Sequence, residues 1–276
     1  MQNYLSRQEY FPSSTGFVPT MGALHEGHLE LVKQCKQAQQ LTLSSIFVNP
    51  TQFNDPADFK KYPVTIEKDI SLLEEAGCDI LFLPSVLEIY PGGISKLIHY
   101  ELGSLENILE GFYRPGHFQG VCRVVHRLLD IVKTAHIYLG RKDYQQCMVI
   151  KKMLELTGLN VQVHIVPTVR EPDGLAMSSR NIRLDEAARK QAVSIYKQLN
   201  WIKNEIGNQP MAALKETATG NLLNDGFSKV DYVAIAEPDS LVPLEKIAAG
   251  DRAVVLIAAF LKEVRLIDNM EVSLPR

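Results

Sequence analysis

Short apolar runs rich in β-branched residues alternate with longer amphipathic stretches, and this alternation limits the possible folds more than any other feature of the chain. The candidate strands are TGFVP, LTLSSIFV, DILFLP, HIYLG and VQVHIVP. Between them lie helical patterns such as HLELVKQCKQAQ, VTIEKDISLLEEAG and DYQQCMVIKKMLELTG. Strands that alternate with helices predict an α/β fold, with a parallel sheet covered by helices on both faces.

The pattern changes after VPTV. A polar loop, REPDGLAMSSRNIRL, precedes a helical run from about Asp185 to Ile206 and a second helix near MAALKETATGNLL. The strand candidates KVDYVAIAE, AVVLIAAFL and EVRLI follow. We therefore predict two domains, residues 1–168 and a smaller α+β domain over residues 169–276.

Composition and charge exclude several classes of protein. The net charge of −3 offers no general basic surface for a nucleic-acid backbone, so no nucleic-acid partner is expected. The four cysteines form no CxxC pair, which argues against zinc-ribbon and thioredoxin-like folds. The first residues lack the pattern of a signal peptide, and the longest apolar run is too short for a membrane span. We expect a cytoplasmic protein with no membrane partner.

The stretch PTMGALHEGH places His25 and His28 where a strand is followed by a helix. Zinc binding would favour HExxH, with both imidazoles on one helical face, whereas the spacing here is three residues. A second interpretation is a turn with satisfied polar side chains. The third is phosphate binding, in which Gly22 and Gly27 let the backbone approach the ligand, and the helix beginning near His28 offers N–H groups and a positive dipole end.

Three more polar segments support phosphate chemistry. FVNPTQF ends a strand with Gln52, LGRKDYQQ supplies Lys142 after another strand, and MSSRN combines two hydroxyls with Arg180. A simple turn, a solvated charge cluster and an ordinary loop are the respective alternatives. Because GxxxxGK[ST] and GxGxxG are absent, P-loop and dinucleotide-binding sites lack their glycine patterns.

Together PTMGALHEGH, FVNPTQF, RPGHFQGV, KDYQQ, REPDGLAMSSRN and RLIDN resemble the pantothenate synthetase (pantoate–β-alanine ligase) family over nearly the whole chain. This family belongs to the HxGH nucleotidyltransferase superfamily. The resemblance implies a Rossmann-like nucleotide- and pantoate-binding domain over residues 1–168, a C-terminal lid domain over residues 169–276, and a homodimer. It also implies the condensation of pantoate with β-alanine through a pantoyl adenylate, with ATP as substrate and Mg²⁺ as its metal.

The resemblance also assigns residues. The expected catalytic residues are His25, His28, Lys142, Ser178, Ser179 and Arg180. The expected ATP-binding residues are Met21, Gly22, Ala23, Leu24, His25, Glu26, Gly27, His28, Gly140, Arg141, Lys142, Asp143, Val169, Met177, Ser178, Ser179 and Arg180. Gln52, Gln146 and Arg114 are expected to bind substrate, and Asp69 aligns with an acidic position near the magnesium.

Two residues depart from the family pattern. Arg141 replaces an acidic residue in GRKD, and Gln119 replaces arginine in HFQG.

Two rival functions stay open beside the ligase. One is a nucleotidyltransferase with a phosphate acceptor, which NPTQF and KDYQQ disfavour. The other is a non-catalytic nucleotide sensor, which would not require His28 or Lys142.

Overall fold

The computed structural model describes residues 14–53, 59–60, 62–94 and 98–274, so the N-terminal segment examined for a signal peptide lies outside the described residues. The chain divides into two compact units. Unit 1 contains the chain up to Arg141 together with Gln146–Pro167. Unit 2 contains Lys142–Gln145 and the chain from Thr168 onward.

Unit 1 is built on a five-stranded parallel sheet, which confirms the predicted α/β fold. Its strands are β1 (Thr15–Thr20), β2 (Leu41–Ile46), β3 (Ile80–Phe82), β4 (His136–Gly140) and β5 (Gln162–Val166). Their order in the sheet is β3-β2-β1-β4-β5. Each strand coincides with one of the apolar runs in the sequence, because parallel strands covered on both faces require nearly continuous apolar residues.

The strand order reverses direction between β1 and β4, and this is where open α/β sheets bind their ligands. The ladder between these two strands contains only Gly16 with His136 and Phe17 with Ile137. By contrast, β1 pairs with β2 along its full length. The backbones of β1 and β4 therefore part toward their carboxyl ends, at the edge that carries PTMGALHEGH and LGRKD.

Helices cover both faces of the sheet. They are α1 (Glu26–Ala38), α2 (Ile66–Glu75), α3 (Val86–Ile89), α4 (Glu110–Tyr113), α5 (His117–Val132) and α6 (Tyr144–Thr157), the last of which begins in the part of the chain assigned to unit 2. In α6 the predicted apolar stripe is buried at Met148, Ile150, Met153 and Leu154, whereas Leu156 is exposed. Helix α5 begins directly after Pro115 and Gly116 and buries most of its residues.

Unit 2 contains a separate antiparallel sheet in the order β6-β7-β8, as expected for an α+β unit. Its elements are α7 (Glu186–Ala192), α8 (Ser194–Glu205), α9 (Met211–Asn224), β6 (Lys229–Ala236), β7 (Arg252–Leu261) and β8 (Val264–Ser273). The single helical run predicted from Asp185 to Ile206 is wrong in one respect. It breaks at Val193, because the Val193 N–H turns to the Gln191 carbonyl instead of the carbonyl four residues back.

The four cysteines carry free thiols. Burial raises the pKa of the Cys35 thiol to about 11 and that of the Cys122 thiol to about 12, so neither supplies a thiolate near neutral pH. Within the described residues, no helix has the length and apolar character that crossing a membrane requires.

Candidate active site

The loop after β1 makes a sharp turn that a buried carboxylate holds in place. Gly22 has a φ of +81°, and a Cβ there would lie 3.0 Å from a carboxylate oxygen of Asp69. Ala23 also adopts a positive φ of 51°. The Asp69 carboxylate accepts hydrogen bonds from the Ala23 N–H at 2.9 Å and the Leu24 N–H at 2.8 Å. Asp69 therefore anchors the backbone of the predicted ATP loop from the first turn of α2.

The same contacts bear on whether Asp69 can coordinate the expected magnesium ion. The residue is 1% exposed, and both carboxylate oxygens also lie 3.1 Å from the Thr65 hydroxyl. These partners do not fit a carboxylate that coordinates Mg²⁺ directly, since Mg²⁺ needs accessible oxygens in octahedral geometry. No group of three or more His, Cys, Asp or Glu residues in the described part of the chain could hold a metal ion.

His25 and His28 cap the first turn of α1 reciprocally. The helix begins at Glu26, so the expected start near His28 is wrong by two residues, with His25 as the N-cap and His28 at the third helical position. Nδ1 of His25 accepts from the Gly27 N–H at 3.1 Å, and Nδ1 of His28 accepts from the His25 N–H at 3.4 Å. The ring centroids lie 4.1 Å apart. The histidine pair thus takes the places that Ser and Glu occupy in a capping box.

Capping through Nδ1 sets the tautomer of both rings. A neutral imidazole that accepts at Nδ1 carries its proton on Nε2, so each ring offers a donor at its outer nitrogen. The N-terminus of α1 adds a positive dipole end at the same place. The arrangement suits an anion and does not suit zinc, which would bind the unprotonated nitrogens.

Gln52 lies in a 3₁₀ turn, Pro50–Gln52, that begins after the three residues following β2, and its amide oxygen is held by Asn49. Asn49 is fully buried, and its Nδ2 donates to Gln52 Oε1 at 3.2 Å and to the Gly120 carbonyl at 3.1 Å. The Tyr90 hydroxyl donates to Asn49 Oδ1 at 2.8 Å. Because its oxygen is engaged, Gln52 presents its amide N–H₂ toward the Sδ of Met21, 2.7 Å away. The predicted residues Met21 and Gln52 are therefore in contact.

Helix α5 supports this turn from the other side. A Cβ on Gly120 would lie 2.3 Å from the Thr51 carbonyl oxygen, so only glycine permits this approach of the two backbones. Nδ1 of His117 lies 2.8 Å from the Gln52 carbonyl oxygen, where it can donate. Arg114 is partly buried beside it, with its Nη1 3.2 Å from His117 Nε2.

The departure at Gln119 has a structural explanation. Gln119 is 4% exposed, and its side-chain amide bonds both main-chain groups of Tyr100, accepting from the N–H at 3.0 Å and donating to the carbonyl at 2.8 Å. This pairing ties the segment before α4 to α5. Gln119 thus serves the fold of unit 1 and is not directed at a ligand.

The other predicted residues of unit 1 follow β4. A Cβ on Gly140 would meet no atom within 4 Å, so the backbone is open to a ligand here. Arg141 and Gln146 are both partly buried. Gly140 and Arg141 stand at the carboxyl end of β4, at the strand reversal described above.

Lys142 lies in a 3₁₀ turn, Arg141–Asp143, at the start of α6. Its side chain is 19% exposed, and Nζ lies 4.0 Å from the carboxylate of Asp143, which is half exposed. The Lys142 carbonyl accepts from Nδ2 of Asn269 on β8 at 2.9 Å. The ammonium group therefore sits on a backbone that unit 2 holds, although the lysine follows a strand of unit 1.

The second predicted nucleotide segment forms a closed loop in unit 2. The Met177 N–H donates to the Val169 carbonyl at 3.0 Å, which brings these two predicted residues together. Between them, the Arg170 guanidinium makes a bidentate pair with Asp268 at 2.6 and 3.0 Å and lies 4.3 Å from the centre of the Tyr196 ring. Burial raises the pKa of the Asp268 carboxyl, and Arg170 opposes this shift.

Ser178, Ser179 and Arg180 follow this loop. The Ser178 hydroxyl caps a 3₁₀ turn by accepting from the Arg180 N–H at 3.2 Å. All three residues are partly buried. Their hydroxyls and guanidinium are donors of the kind that phosphate oxygens accept.

The sequence alone assigns no role to four supporting residues: Asn49, Tyr90, Asp268 and Asn269. Asn49 and the Asp268–Asn269 pair lie inside the motifs FVNPTQF and RLIDN. The available signal was a polar residue within an apolar strand or at its end. Tyr90 gives no such signal, because its partner is 41 residues away in sequence.

Comparison with known proteins gives a consistent result. A family model described as Pantoate-beta-alanine ligase matches residues 1–271. A pantothenate synthetase from Cytophaga hutchinsonii is 42% identical over 98% of this chain and 96% of its own. A pantothenate synthetase from Thermus thermophilus is 45% identical over 93% of this chain and 92% of its own.

Solved structures agree. The crystal structure of the Thermus thermophilus pantothenate synthetase has a TM-score of 0.89, with 42% identity over 98% of this chain and 97% of that one. The pantoate-β-alanine ligase from Francisella tularensis, complexed with beta-gamma ATP and β-alanine, has a TM-score of 0.80, with 38% identity over 98% and 94% of the two chains. The chain belongs to the pantoate–β-alanine ligase family, EC 6.3.2.1.

Proposed function

We propose that this chain condenses pantoate with β-alanine in an ATP-dependent reaction that passes through a pantoyl adenylate. The observation that carries the proposal is the reciprocal capping of His25 and His28, which fixes a proton on the outer nitrogen of both rings at the N-terminus of α1. This arrangement provides donors for charge that builds on phosphate oxygens. The proposal is also supported by the strand order, because both histidines follow β1, one of the two strands at the strand reversal of the sheet.

In the first step a pantoate carboxylate oxygen attacks the α-phosphorus of ATP, and the bond to pyrophosphate breaks. Negative charge grows on the phosphate oxygens, and a fixed donor at each imidazole stabilises it without reorganisation. His28 and His25 are the proposed donors to these oxygens. Lys142 is the proposed cation for the phosphates, together with the hydroxyls of Ser178 and Ser179 and the guanidinium of Arg180.

In the second step the β-alanine amine attacks the carbonyl carbon of the adenylate, and AMP leaves with the bonding electrons. Gln52 and Gln146 are proposed to bind pantoate through their amides, with Arg114 as a further substrate contact. The amide N–H₂ of Gln52 is directed by Asn49, which supports this role. Asp143 is proposed to bind the ribose of ATP.

Magnesium is proposed to bind ATP oxygens and to neutralise their charge, with Asp69 acting on the loop and not as a ligand. The proposal also includes the remaining predicted ATP contacts: Met21–Leu24, Glu26, Gly27, Gly140, Arg141, Val169 and Met177. It assigns nucleotide and pantoate binding to a domain over residues 1–168 and a lid function to residues 169–276. It further includes a homodimer and a cytoplasmic location. The Francisella tularensis relative is described as complexed with an ATP compound and β-alanine, which supports these substrate classes.

The test is to incubate the purified chain with ATP and pantoate, with and without β-alanine, and to measure pyrophosphate, AMP and pantothenate. We expect up to one equivalent of pyrophosphate per site without β-alanine, and continuous release of AMP and pantothenate once it is added. A nucleotidyltransferase would release pyrophosphate only with a phosphomonoester acceptor. A sensor would bind ATP and release nothing.

A matched pair of histidine variants controls the test. His28→Ala is expected to abolish most of the pyrophosphate release. His99→Ala is the control, because His99 is well exposed and its Nε2 lies 3.6 Å from the carboxylate of Glu101, outside the proposed site. Equal activity of the two variants would remove His28 from the mechanism.

A further inference from the structure

Strand β8 interrupts its apolar pattern with two consecutive buried polar residues. Val264, Leu266 and Val272 alternate into the core of unit 2. Asp268 falls on the same alternation and is 5% exposed, while its neighbour Asn269 is 4% exposed. A sheet of this kind needs no buried carboxylate or amide for its own stability, since each must find hydrogen-bond partners to offset its desolvation.

Asn269 and Glu271 lie two residues apart and therefore on one face of β8. Nδ2 of Asn269 donates to the Lys142 carbonyl, and Glu271 accepts from the Tyr144 hydroxyl at 3.3 Å. Two residues of the strand thus hold two alternate residues of the short segment 142–145. Burial and the Glu271 carboxylate both raise the pKa of Tyr144, which keeps its hydroxyl protonated as the donor.

We propose that Asn269 is a positioning residue for adenylation, because its side-chain amide fixes the backbone from which the Lys142 ammonium reaches the phosphates. The proposal rests on the proposed function and deepens it. The hydrogen bond goes to the main chain of residue 142, so it fixes the peptide whatever side chain stands there. A shift of that peptide moves the ammonium, and a misplacement of about 1 Å at a reacting centre can lower a rate about 100-fold.

The neighbouring Asp268 completes the arrangement. It holds Arg170, and the Arg170 Nη1 also donates to the Gly174 carbonyl at 3.0 Å within the Val169–Met177 loop. The Asp268 carboxylate further accepts from the Asn269 N–H at 2.8 Å, which orders the backbone at this point. Two consecutive residues of β8, Asp268 and Asn269, therefore hold the Val169–Met177 loop and the segment 142–145.

The experiment compares Asn269→Ala with Asn221→Ala. Asn221 also donates through its side-chain amide, to Gln198 at 3.0 Å, but it lies on α9 outside the proposed site. For Asn269→Ala we expect a loss of about 10- to 100-fold in kcat/KM for ATP and weaker ATP binding by calorimetry. For both variants we expect a small decrease in Tm. For Asn221→Ala we expect unchanged kinetics and unchanged ATP affinity.

A double-mutant cycle with Lys142→Ala identifies the route of the effect. If Asn269 acts through the ammonium, Asn269→Ala should lower the activity and ATP affinity of Lys142→Ala by no more than about twofold. The proposal would be overturned if Asn269→Ala lowered kcat/KM for ATP by the same factor in the wild-type chain and in Lys142→Ala. It would also be overturned if Asn269→Ala had the same kinetics as Asn221→Ala. If the wild-type chain released no pyrophosphate, the proposed function would fail, and the ATP affinities alone would still decide the role of Asn269.

Discussion

The loop Met21–His28 in unit 1 and the segments Lys142–Gln145 and Thr168–Arg180 in unit 2 are stabilised in different ways. In the first, the imidazoles that cap the helix are also the groups proposed to contact phosphate. In the second, Asn269 holds the backbone of Lys142 and Asp268 holds Arg170 in the loop before Ser178, and neither Asn269 nor Asp268 is a proposed ligand.

This difference determines what a mutation can report. A change at His25 or His28 alters the helix start and the proposed donor together, so a simple alanine variant confounds the two. In unit 2 the positioning residues can be changed while the side chain of every proposed ligand is kept. Variants that keep the cap but remove the donor in unit 1, or that change only a positioning residue in unit 2, distinguish the two arrangements.

The largest expected effect comes from His28→Asn. The asparagine amide oxygen can replace the capping Nδ1, but nothing replaces the Nε2–H donor. We expect turnover to fall about 10²- to 10³-fold, as when a charge-stabilising donor is lost, with little change in Tm. Steady-state kinetics and thermal denaturation measure the two properties.

His28→Gln is the complementary variant. Its amide oxygen can accept from the His25 N–H, as Gln does at this position of a capping box, and its N–H₂ partly replaces the Nε2–H donor. It should retain more turnover than His28→Asn at a similar Tm, because both variants keep the cap and only His28→Gln keeps a donor close to the position of Nε2. Equal turnover of the two variants would mean that His28 does not act through a donor at Nε2.

Asp268→Asn tests the buried pair of unit 2. Removal of the carboxylate leaves the Arg170 guanidinium largely buried without its charged partner, which should lower the free energy of unfolding by about 3 kcal/mol. The fluorescence of Trp201, the only tryptophan of the chain, reports urea unfolding of unit 2, because this side chain packs against its core.

Asp173→Asn is the matched control, because Asp173 also makes a bidentate pair with an arginine, Arg189, at 2.7 and 3.1 Å. That pair is exposed, so its loss should change the free energy of unfolding by less than about 1 kcal/mol. Equal effects of the two substitutions would show that burial of the Asp268–Arg170 pair does not matter.

The sequence predicts local features of this molecule well. All five parallel strands coincide with apolar runs, and the histidine pair stands at the carboxyl end of the first strand, where ligands of such sheets bind. The helix start predicted near His28 is two residues too late, because a His-x-x-His cap lacks the usual Ser/Thr and Glu pattern.

Long-range positioning could not be predicted. Asn269 and Lys142 are 127 residues apart, and nothing in the apolar pattern of either segment indicates that they meet. Gln119 departs from the family pattern in HFQG, and its partner in the fold, the backbone of Tyr100, cannot be read from that motif. Such hydrogen bonds depend on the assembled fold and leave no periodic signal in the sequence.

Gly120→Ala tests a third means of support, the direct contact between α5 and the turn that carries Gln52. The added Cβ would lie 2.3 Å from the Thr51 carbonyl oxygen, so the turn must move. We expect a loss of about 1–3 kcal/mol in stability and a raised KM for pantoate.

Gly220→Ala is the control for this substitution, because Gly220 also lies within a helix but a Cβ there meets no atom within 4 Å. It should raise stability by up to about 1 kcal/mol without any change in kinetics. An unchanged KM for pantoate in Gly120→Ala would show that the position of the Pro50–Gln52 turn does not govern substrate binding.

The smallest effect is expected for Tyr90→Phe, which removes the hydroxyl that bonds Asn49 but keeps the ring. The same hydroxyl lies 3.1 Å from the Thr51 hydroxyl, so this contact is lost as well. If the hold on Asn49 weakens by about 1 kcal/mol, the size of one neutral hydrogen bond, the KM for pantoate should rise about fivefold with kcat nearly unchanged, because the Gln52 amide becomes less ordered. Tyr100→Phe removes a comparable hydroxyl, 2.6 Å from His126, and should leave the KM for pantoate unaltered. A lower kcat in Tyr90→Phe at constant KM would place the Asn49 cluster in the chemical step and not in pantoate binding.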